Sequence, residues 1–231
     1  MLTNSVVAVL AVAVMGGLLY KLLGLWSSAL GGIDSGAPGA ETSRQIDPRD
    51  LVRAIEETDP AVAKILRQYP FQAVQQRLEF LGDYVSVRIT VKEAPPPNVF
   101  VAAYERNGKA FVMTGTGTQW DPLRVDLKLK VDVDRTALDL ALWYLRAREP
   151  DLVPIRRREE VPFLSRLSDD DAARLRDGLK PPLVSALSEG WEVSAVAMRG
   201  TVLRRYLVRV APDAKMDVQG EDWIVAPDWS K

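Results

Sequence analysis

Three sets of charged side chains have the types and spacing to do chemistry. Asp126, Asp132 and Asp134 stand an even number of residues apart, so on a strand they would project from one face, and hard cations such as calcium favour clustered oxygen ligands. Lys128 and Lys130 alternate among them and no calcium-loop spacing is present, so the run reads as a neutral, solvated strand face, with no metal site assigned. Asp169, Asp170 and Asp171 form the second set. Directly behind Ser168 they suit the positive end of a helix, which accounts for them without a ligand. Arg156, Arg157 and Arg158 form the third set and are the most suggestive, because guanidinium forks match phosphate and carboxylate geometry and, near a bilayer, would meet lipid head groups. Glu159 and Glu160 offset part of that field, so a solvated loop is the plainer reading and contact with head groups or an acidic partner the functional one.

Two further features invite the same weighing. Gly115-Thr116-Gly117 does not read as a phosphate-binding loop, since such a loop follows a strand and opens onto a helix, whereas here Trp120-Asp121-Pro122 continues the chain as a turn. Trp120, Trp143, Trp191, Trp223 and Trp229 lie on or beside predicted elements, where core packing is the default. Trp223 and Trp229, close together near the end of the sequence, are also candidates to anchor a partner.

What is missing constrains chemistry more than what is present. The chain has no Cys and no His. Disulfides, thiolate nucleophiles, the usual zinc sites, a Ser-His-Asp triad and the commonest general base near neutral pH are therefore excluded. Any catalysis would rest on carboxylates, Lys, Tyr, Ser or Thr, or a borrowed cofactor, and neither a catalytic nor a cofactor-binding residue is assigned. Lys+Arg 30 against Asp+Glu 31 gives a net charge of −1, which supplies no long-range field for nucleic acid.

The N-terminal segment carries the clearest signal. From Val6 to Ile33 the only charged residue is Lys21, and about 20 apolar residues suffice to cross the hydrocarbon layer. The spacing predicts a membrane anchor over residues 1–30 built on Val6, Leu10, Val14, Leu18 and Leu19, with Lys21 snorkelling and Trp26 at the interface. A cleaved signal peptide is the competing reading, since Ser27-Ser28-Ala29 offers small residues for cleavage, but no Lys or Arg precedes the apolar run. Basic residues on the far side, Lys21, Arg44 and Arg49, point the following domain toward the cytoplasm. Residues 31–46, rich in Gly, Ala, Ser and Pro, read as a flexible linker, and 47–231 as an α+β domain.

The elements that must position these side chains follow from periodicity. Asp47-Pro48 and Asp59-Pro60 each signal a helix start, and Phe71, Val74, Leu78 and Leu81 at helical spacing predict a third helix ending at Gly82. Residues 84–91 alternate as a half-buried strand with a polar opposite face. Asn107-Gly108 predicts a hairpin between 99–106 and 109–116, and Val125, Leu127, Leu129, Val131 and Val133 predict a strand over 124–134. Asp134 or Thr136 can cap a helix bearing Leu138, Leu142 and Leu145; Ser168 caps another, and Lys180-Pro181-Pro182 opens a third through Leu187. Residues 191–198, 202–210 and 219–225 read as strands.

Helix, glycine, strand and hairpin thus recur twice, which raises two similar α-β-β-β units within 47–134 and 135–231. The fold expected is an antiparallel sheet with helices packed on one face, a cupped sheet of the kind found in cystatin and NTF2-like domains being compatible with this order. Arg 21 against Lys 9, with much Ala and Val, hints at a GC-rich bacterial gene and an inner-membrane setting. The function expected is a non-enzymatic, single-pass accessory, assembly or scaffolding subunit of a larger membrane complex, with other membrane proteins as partners. A membrane-tethered module for a small molecule or lipid, and a carboxylate-based hydrolase or transferase, are the alternatives.

Overall fold

Two Asp-Pro pairs set the first elements of the computed structural model, which describes residues 46–105, 108–114 and 119–226. Helices α1 (Pro48–Thr58) and α2 (Pro60–Gln68) start where the pairs predict: Asp47 accepts from the Arg49 N–H at 2.8 Å and Asp59 from that of Val62 at 3.1 Å. Proline costs nothing in the first turn, where an N–H would have no helical acceptor. Together the helices bury Leu51, Val52, Ala54, Ile55, Val62, Ala63 and Leu66.

Two antiparallel sheets follow. The first runs in order through β1 (Phe71–Arg77), β2 (Tyr84–Val91), β3 (Val99–Glu105) and β4 (Ala110–Val112). Then come α3 (Trp120–Asp126), α4 (Asp134–Arg148), β5 (Val153–Ile155), α5 (Asp169–Gly178) and β6 (Leu183–Leu187), before β7 (Gly190–Arg199), β8 (Val202–Val210) and β9 (Met216–Val225) complete the second sheet. There β5 and β6 share one edge of β7, pairing with residues 196–198 and 190–194 respectively. The described residues thus form an α+β fold with two antiparallel sheets and five α-helices.

Both faces of each sheet are buried, which departs from the expectation of helices on one face only. Strand β2 turns Val87, Ile89 and Val91 toward α1 and α2, and Tyr84 and Ser86 toward α4; on β3, Phe100 and Tyr104 join the first group and Val101 and Ala103 the second. The polar opposite face expected of β2 is therefore not a solvated one. From the other side, Val193 and Ala197 of β7 and Tyr206, Val208 and Val210 of β8 pack on the same helix. Beyond the second sheet, Leu175 of α5 and Ile155, Val161 and Phe163 close a third cluster over Val196, Leu203 and Ile224.

Helix α4 is accordingly buried over most of its circumference. Ala137, Leu140, Ala141, Trp143, Tyr144, Leu145 and Ala147 are all inside. The Trp143 indole N–H donates to Ser86 Oγ at 2.9 Å and that of Trp120 to the Ala214 carbonyl at 2.9 Å, so neither buried donor is left unpaired. Rings of Phe80, Trp143, Trp120 and Tyr144 follow one another at centroid distances of 5.7, 6.1 and 5.4 Å. These tilted and edge-on geometries are the ones aromatic quadrupoles favour.

Three predicted elements and one predicted cap need correction. The third helix over 71–82 is strand β1 followed by a single 3₁₀ turn at Glu79–Leu81, and the helix opened by Lys180-Pro181-Pro182 is strand β6. Each is an outer strand whose few inward contacts leave no alternating pattern, so the ladder to its neighbour decides its conformation. The strand over 124–134 is replaced by α3 and an irregular segment: Val125 and Val133 are exposed, Lys128 has φ 49°, and Leu123 and Val131 carry the burial. Neither Asp134 nor Thr136 caps α4, whose N-cap is Val133; Asp134 instead accepts from the Trp191 indole at 2.7 Å. Strands β3 and β4, on either side of the stretch predicted as a turn, pair antiparallel, the second with only three residues. Within the two segments whose order of elements looks alike, 71–116 and 182–225, strands β1 to β4 and β6 to β9 each form an antiparallel meander.

Replacing Ser86 with Ala strands the Trp143 indole and should cost about 1–3 kcal/mol, while Leu140→Ala at a fully buried site should cost about 2–5 kcal/mol. Urea denaturation checks both, and a Ser86→Ala variant as stable as the parent would mean the indole finds another acceptor.

Candidate functional site

The arginine loop is built by its own backbone. After β5 the chain makes a 3₁₀ turn at Arg158–Glu160, and the Glu160 carboxylate accepts from the N–H groups of Arg156 at 2.6 Å and Arg157 at 3.3 Å. Glu160 is thereby drawn to the main chain, while Arg156, Arg157 and Arg158 are exposed. Two arginines outside this run of sequence act on the same region. Arg88 on β2 faces α4 and donates to the Pro150 carbonyl at 3.1 Å, just past the helix C-terminus, and Arg146 stands in the last turn of α4. Burial lowers the Arg88 proton affinity, with Asp151 acting in the opposite sense. Burial also lowers that of Arg146, and the positive charges of Arg88 and Arg156 add to the effect. Glu149, between these groups in sequence, is engaged elsewhere: it accepts from the Tyr206 hydroxyl at 3.4 Å and pairs with Arg199 at 3.4 Å.

Trp223 occupies a different position from the arginine loop. A bulge between Leu203 and Arg204 of β8 against β9 lets both Trp223 and Ile224 join the outer cluster. The Arg205 guanidinium lies 4.0 Å over the Trp223 ring, and Gly178 packs so closely beneath that a Cβ there would sit 2.8 Å from Trp223 Cζ2. This stack floors an open depression of about 750 Å³ rimmed by Asp170, Arg174 and Asp177. At 7% exposure Trp223 is mainly a packing residue with one edge at that floor. A smaller groove, about 320 Å³, runs between α1, α2 and β1 with Val52, Leu66 and Phe71 below Arg49, Arg53 and Arg67.

The acidic candidates separate. Asp126 accepts from the Tyr84 hydroxyl at 2.6 Å and from Lys109 Nζ at 2.8 Å, which ties the end of α3 to β2 and to the start of β4. Those hydrogen bonds, the one from Lys109 foremost, hold the Asp126 carboxyl below the usual carboxylate range, and burial together with Asp126 pushes the Tyr84 phenol well up. Asp132 and Asp134 are exposed and not part of this arrangement. Asp169, Asp170 and Asp171 fill the first turn of α5, with the Asp171 N–H donating to Ser168 Oγ at 3.1 Å, as helix capping requires. Among the described residues no cluster of His, Cys, Asp or Glu is suited to a metal ion.

Residues 115–118 lie outside the described chain, and the segment after them is the helix α3 and not a turn; it is seven residues long. Val6, Leu10, Val14, Leu18, Leu19, Lys21, Trp26 and Trp229 also lie outside the described residues, among which no helix is long and apolar enough to cross a membrane. Comparison with protein-family models, with curated proteins and with solved structures gives no match to this chain.

A carboxyl whose folded pKa is depressed contributes stability above its unfolded pKa and loses it as pH falls through the folded one. Asp126→Asn should therefore lower stability at neutral pH and flatten the loss of stability below about pH 4. Urea midpoints measured from pH 7 to pH 2 check this; parallel curves for variant and parent would show that Asp126 is not titrating as a linked group.

Proposed function

We propose that this chain is a non-enzymatic, single-pass accessory or assembly subunit of a membrane protein complex, anchored by residues 1–30 in a bacterial inner membrane with residues 47–231 on the cytoplasmic side. The observation that carries the reading is where large apolar side chains are left in solvent. Among the described residues six are so placed, and four of them sit on strands with one unpaired edge: Val74 (66% exposed) on β1, Leu183 (58%) and Leu187 (44%) on β6, and Val225 (60%) on β9. Unpaired strand edges flanked by apolar side chains are templates for strand addition by a second protein.

Two other observations favour this reading over its competitors. A tethered ligand module built on a cupped cystatin-like or NTF2-like sheet needs an empty concavity, and between these sheets the space is taken by α4 with Trp143 and Leu140. A carboxylate-based hydrolase or transferase needs an acid held protonated near neutral pH, whereas among the described residues the displaced carboxyls, Glu56, Asp126 and Asp213, are all displaced downward by basic or hydrogen-bond-donating partners. The lack of His and Cys across the sequence points the same way.

The full chain, captured from membranes after mild detergent extraction, should co-elute with at least one membrane protein in fixed ratio. Elution alone at monomer size overturns the proposal. A Leu183→Lys, Leu187→Lys double variant should lose that partner while its own stability stays within about 0.5 kcal/mol per site, as for other exposed substitutions.

A further inference from the structure

We infer that β6 is a self-pairing edge, along which a second copy of this chain adds antiparallel about a two-fold axis through Ser185. Residues Leu183-Val184-Ser185-Ala186-Leu187 read nearly the same in both directions. Antiparallel pairing of the strand with itself therefore sets Leu against Leu, Val against Ala and Ser against Ser, the isologous match that a two-fold dimer requires. Of the outer strands β1, β6 and β9, β6 alone carries no charge: β1 ends in Arg77, and β9 holds Asp217, Glu221 and Asp222. Charge along an edge discourages pairing, and this edge lacks it. Leu183, Ser185, Ala186 and Leu187 are all exposed, and β7 is the strand's one partner among the described residues.

The phase of the strand fixes which atoms such a copy meets. Ser188-Glu189 is a two-residue turn that sets Leu187 opposite Gly190, and the pair flanking such a turn is the hydrogen-bonded one. Alternation then aims the N–H and C=O groups of Leu183, Ser185 and Leu187 at β7, and those of Val184 and Ala186 at the open edge. The Ala211 N–H, which donates to the Lys215 carbonyl at 2.9 Å, has the phase this alternation requires one strand further on. In the dimer Val184 of each copy exchanges both hydrogen bonds with Ala186 of the other. Leu183 and Leu187, exposed on the face away from α4, cover one another across the axis. Register is held at both ends. Pro182 has no N–H to extend the ladder, and Lys180 and Glu189, both exposed, come alongside each other's opposite charge in the two copies. A slip of one residue turns the leucines onto the wrong face, and a slip of two sets Leu183 against Ser185.

The inference rests on the reading that apolar strand edges serve association, and it names a second copy as the occupant of one of them; an unlike partner then binds the dimer and is lost with it. The chain has no Cys, so one introduced thiol reports the pairing without a background. Across the axis the two Ser185 residues form a non-hydrogen-bonded pair with Cα atoms about 4.5 Å apart, within the range that a disulfide spans. Full-length Ser185→Cys in neutral detergent, oxidised with copper phenanthroline, should give a linked dimer on non-reducing gels. Leu183→Cys, whose two thiols lie about 13 Å apart along the strands, and Val74→Cys on β1 should link about tenfold more slowly or not at all. Adding Ala186→Pro to the Ser185→Cys chain removes an N–H that meets only water in a single copy, so the urea midpoint should hold while linking falls about tenfold. No link at Ser185, equal linking at Leu183 or Val74, or linking that Ala186→Pro leaves unchanged overturns the inference. If the Ser185 link is absent while an unlike membrane protein still co-elutes, this inference fails alone; if the link forms and no unlike membrane protein co-elutes, the subunit proposal fails and the dimer stands.

Discussion

Everything in the described fold depends on one constraint, that α4 must be dry on nearly all sides. A helix that is apolar on a single stripe can rest on one sheet. Here Ala137, Leu140, Ala141, Trp143, Tyr144 and Leu145 are all inside and only a narrow line through Arg135 and Asp139 meets solvent, so one sheet does not suffice to cover the helix. The two sheets together do. The aromatic side chains are tolerable only because their polar tips are matched: Trp143 to Ser86, Trp120 to the Ala214 carbonyl. Ser86 belongs to the first sheet, and Ala214 to the turn between β8 and β9 of the second. Side chains of α4 and of neighbouring α3 thus tie the central layer to a sheet on each side through single buried hydrogen bonds, which are expensive to leave unmade.

Seen from that constraint, the legible and illegible parts of the sequence sort by range. Helix starts were readable because capping is local: an Asp and a Pro in adjacent positions specify α1 and α2 without reference to the rest of the chain. The inner strands β2, β7 and β8 were readable because each has an apolar face to bury. The outer strands β1 and β6 were not. Residues 71–77 contain Gln, Ala and Arg with Val74 pointing to solvent, a composition that favours a helix in isolation, and residues 183–187 are no better marked. The same misreading occurs at the same place in both halves, because in both the element before the glycine, Gly82 or Gly190, is an edge strand that only its partner holds extended. The segment 124–134 fails for the opposite reason. Its alternation is real in the sequence but does not correspond to burial, since Val125 and Val133 end up in water.

Range also explains the site. Arg156, Arg157 and Arg158 announce themselves as neighbours, but Arg88 reads as one polar residue among several on an alternating strand and Arg146 as a helical residue suited to a C-terminus. Nothing short of the packing of β2 on α4 brings Arg88 to the Pro150 carbonyl. The one available sign was that Arg88 replaces an apolar residue on the face that Tyr84 and Ser86 turn inward, and that sign has meaning only once the inward face is known to be buried. Asp126 shows the converse: placed by the sequence among candidate metal ligands, it is used to pin α3 through Lys109 and Tyr84.

The layered arrangement separates two demands that a smaller fold would set against each other. Edge strands that invite pairing are hazardous when the same strands also hold the core, because any partner able to peel one away would open the interior. In this chain β6 contributes little beyond Val184 to the central cluster and β1 contributes Phe71 to the outer edge of the α1 and α2 cluster, while the residues that fill the core come from β2, β3, β7 and β8. A partner pairing along the free edge of β1 or β6 would therefore meet strands whose own side chains supply few of the core residues. At the end of α4 the same separation applies to charge: Arg146 and Arg148 stand in the last turn, where the helix dipole favours cations, and the apolar length of the helix is left undisturbed.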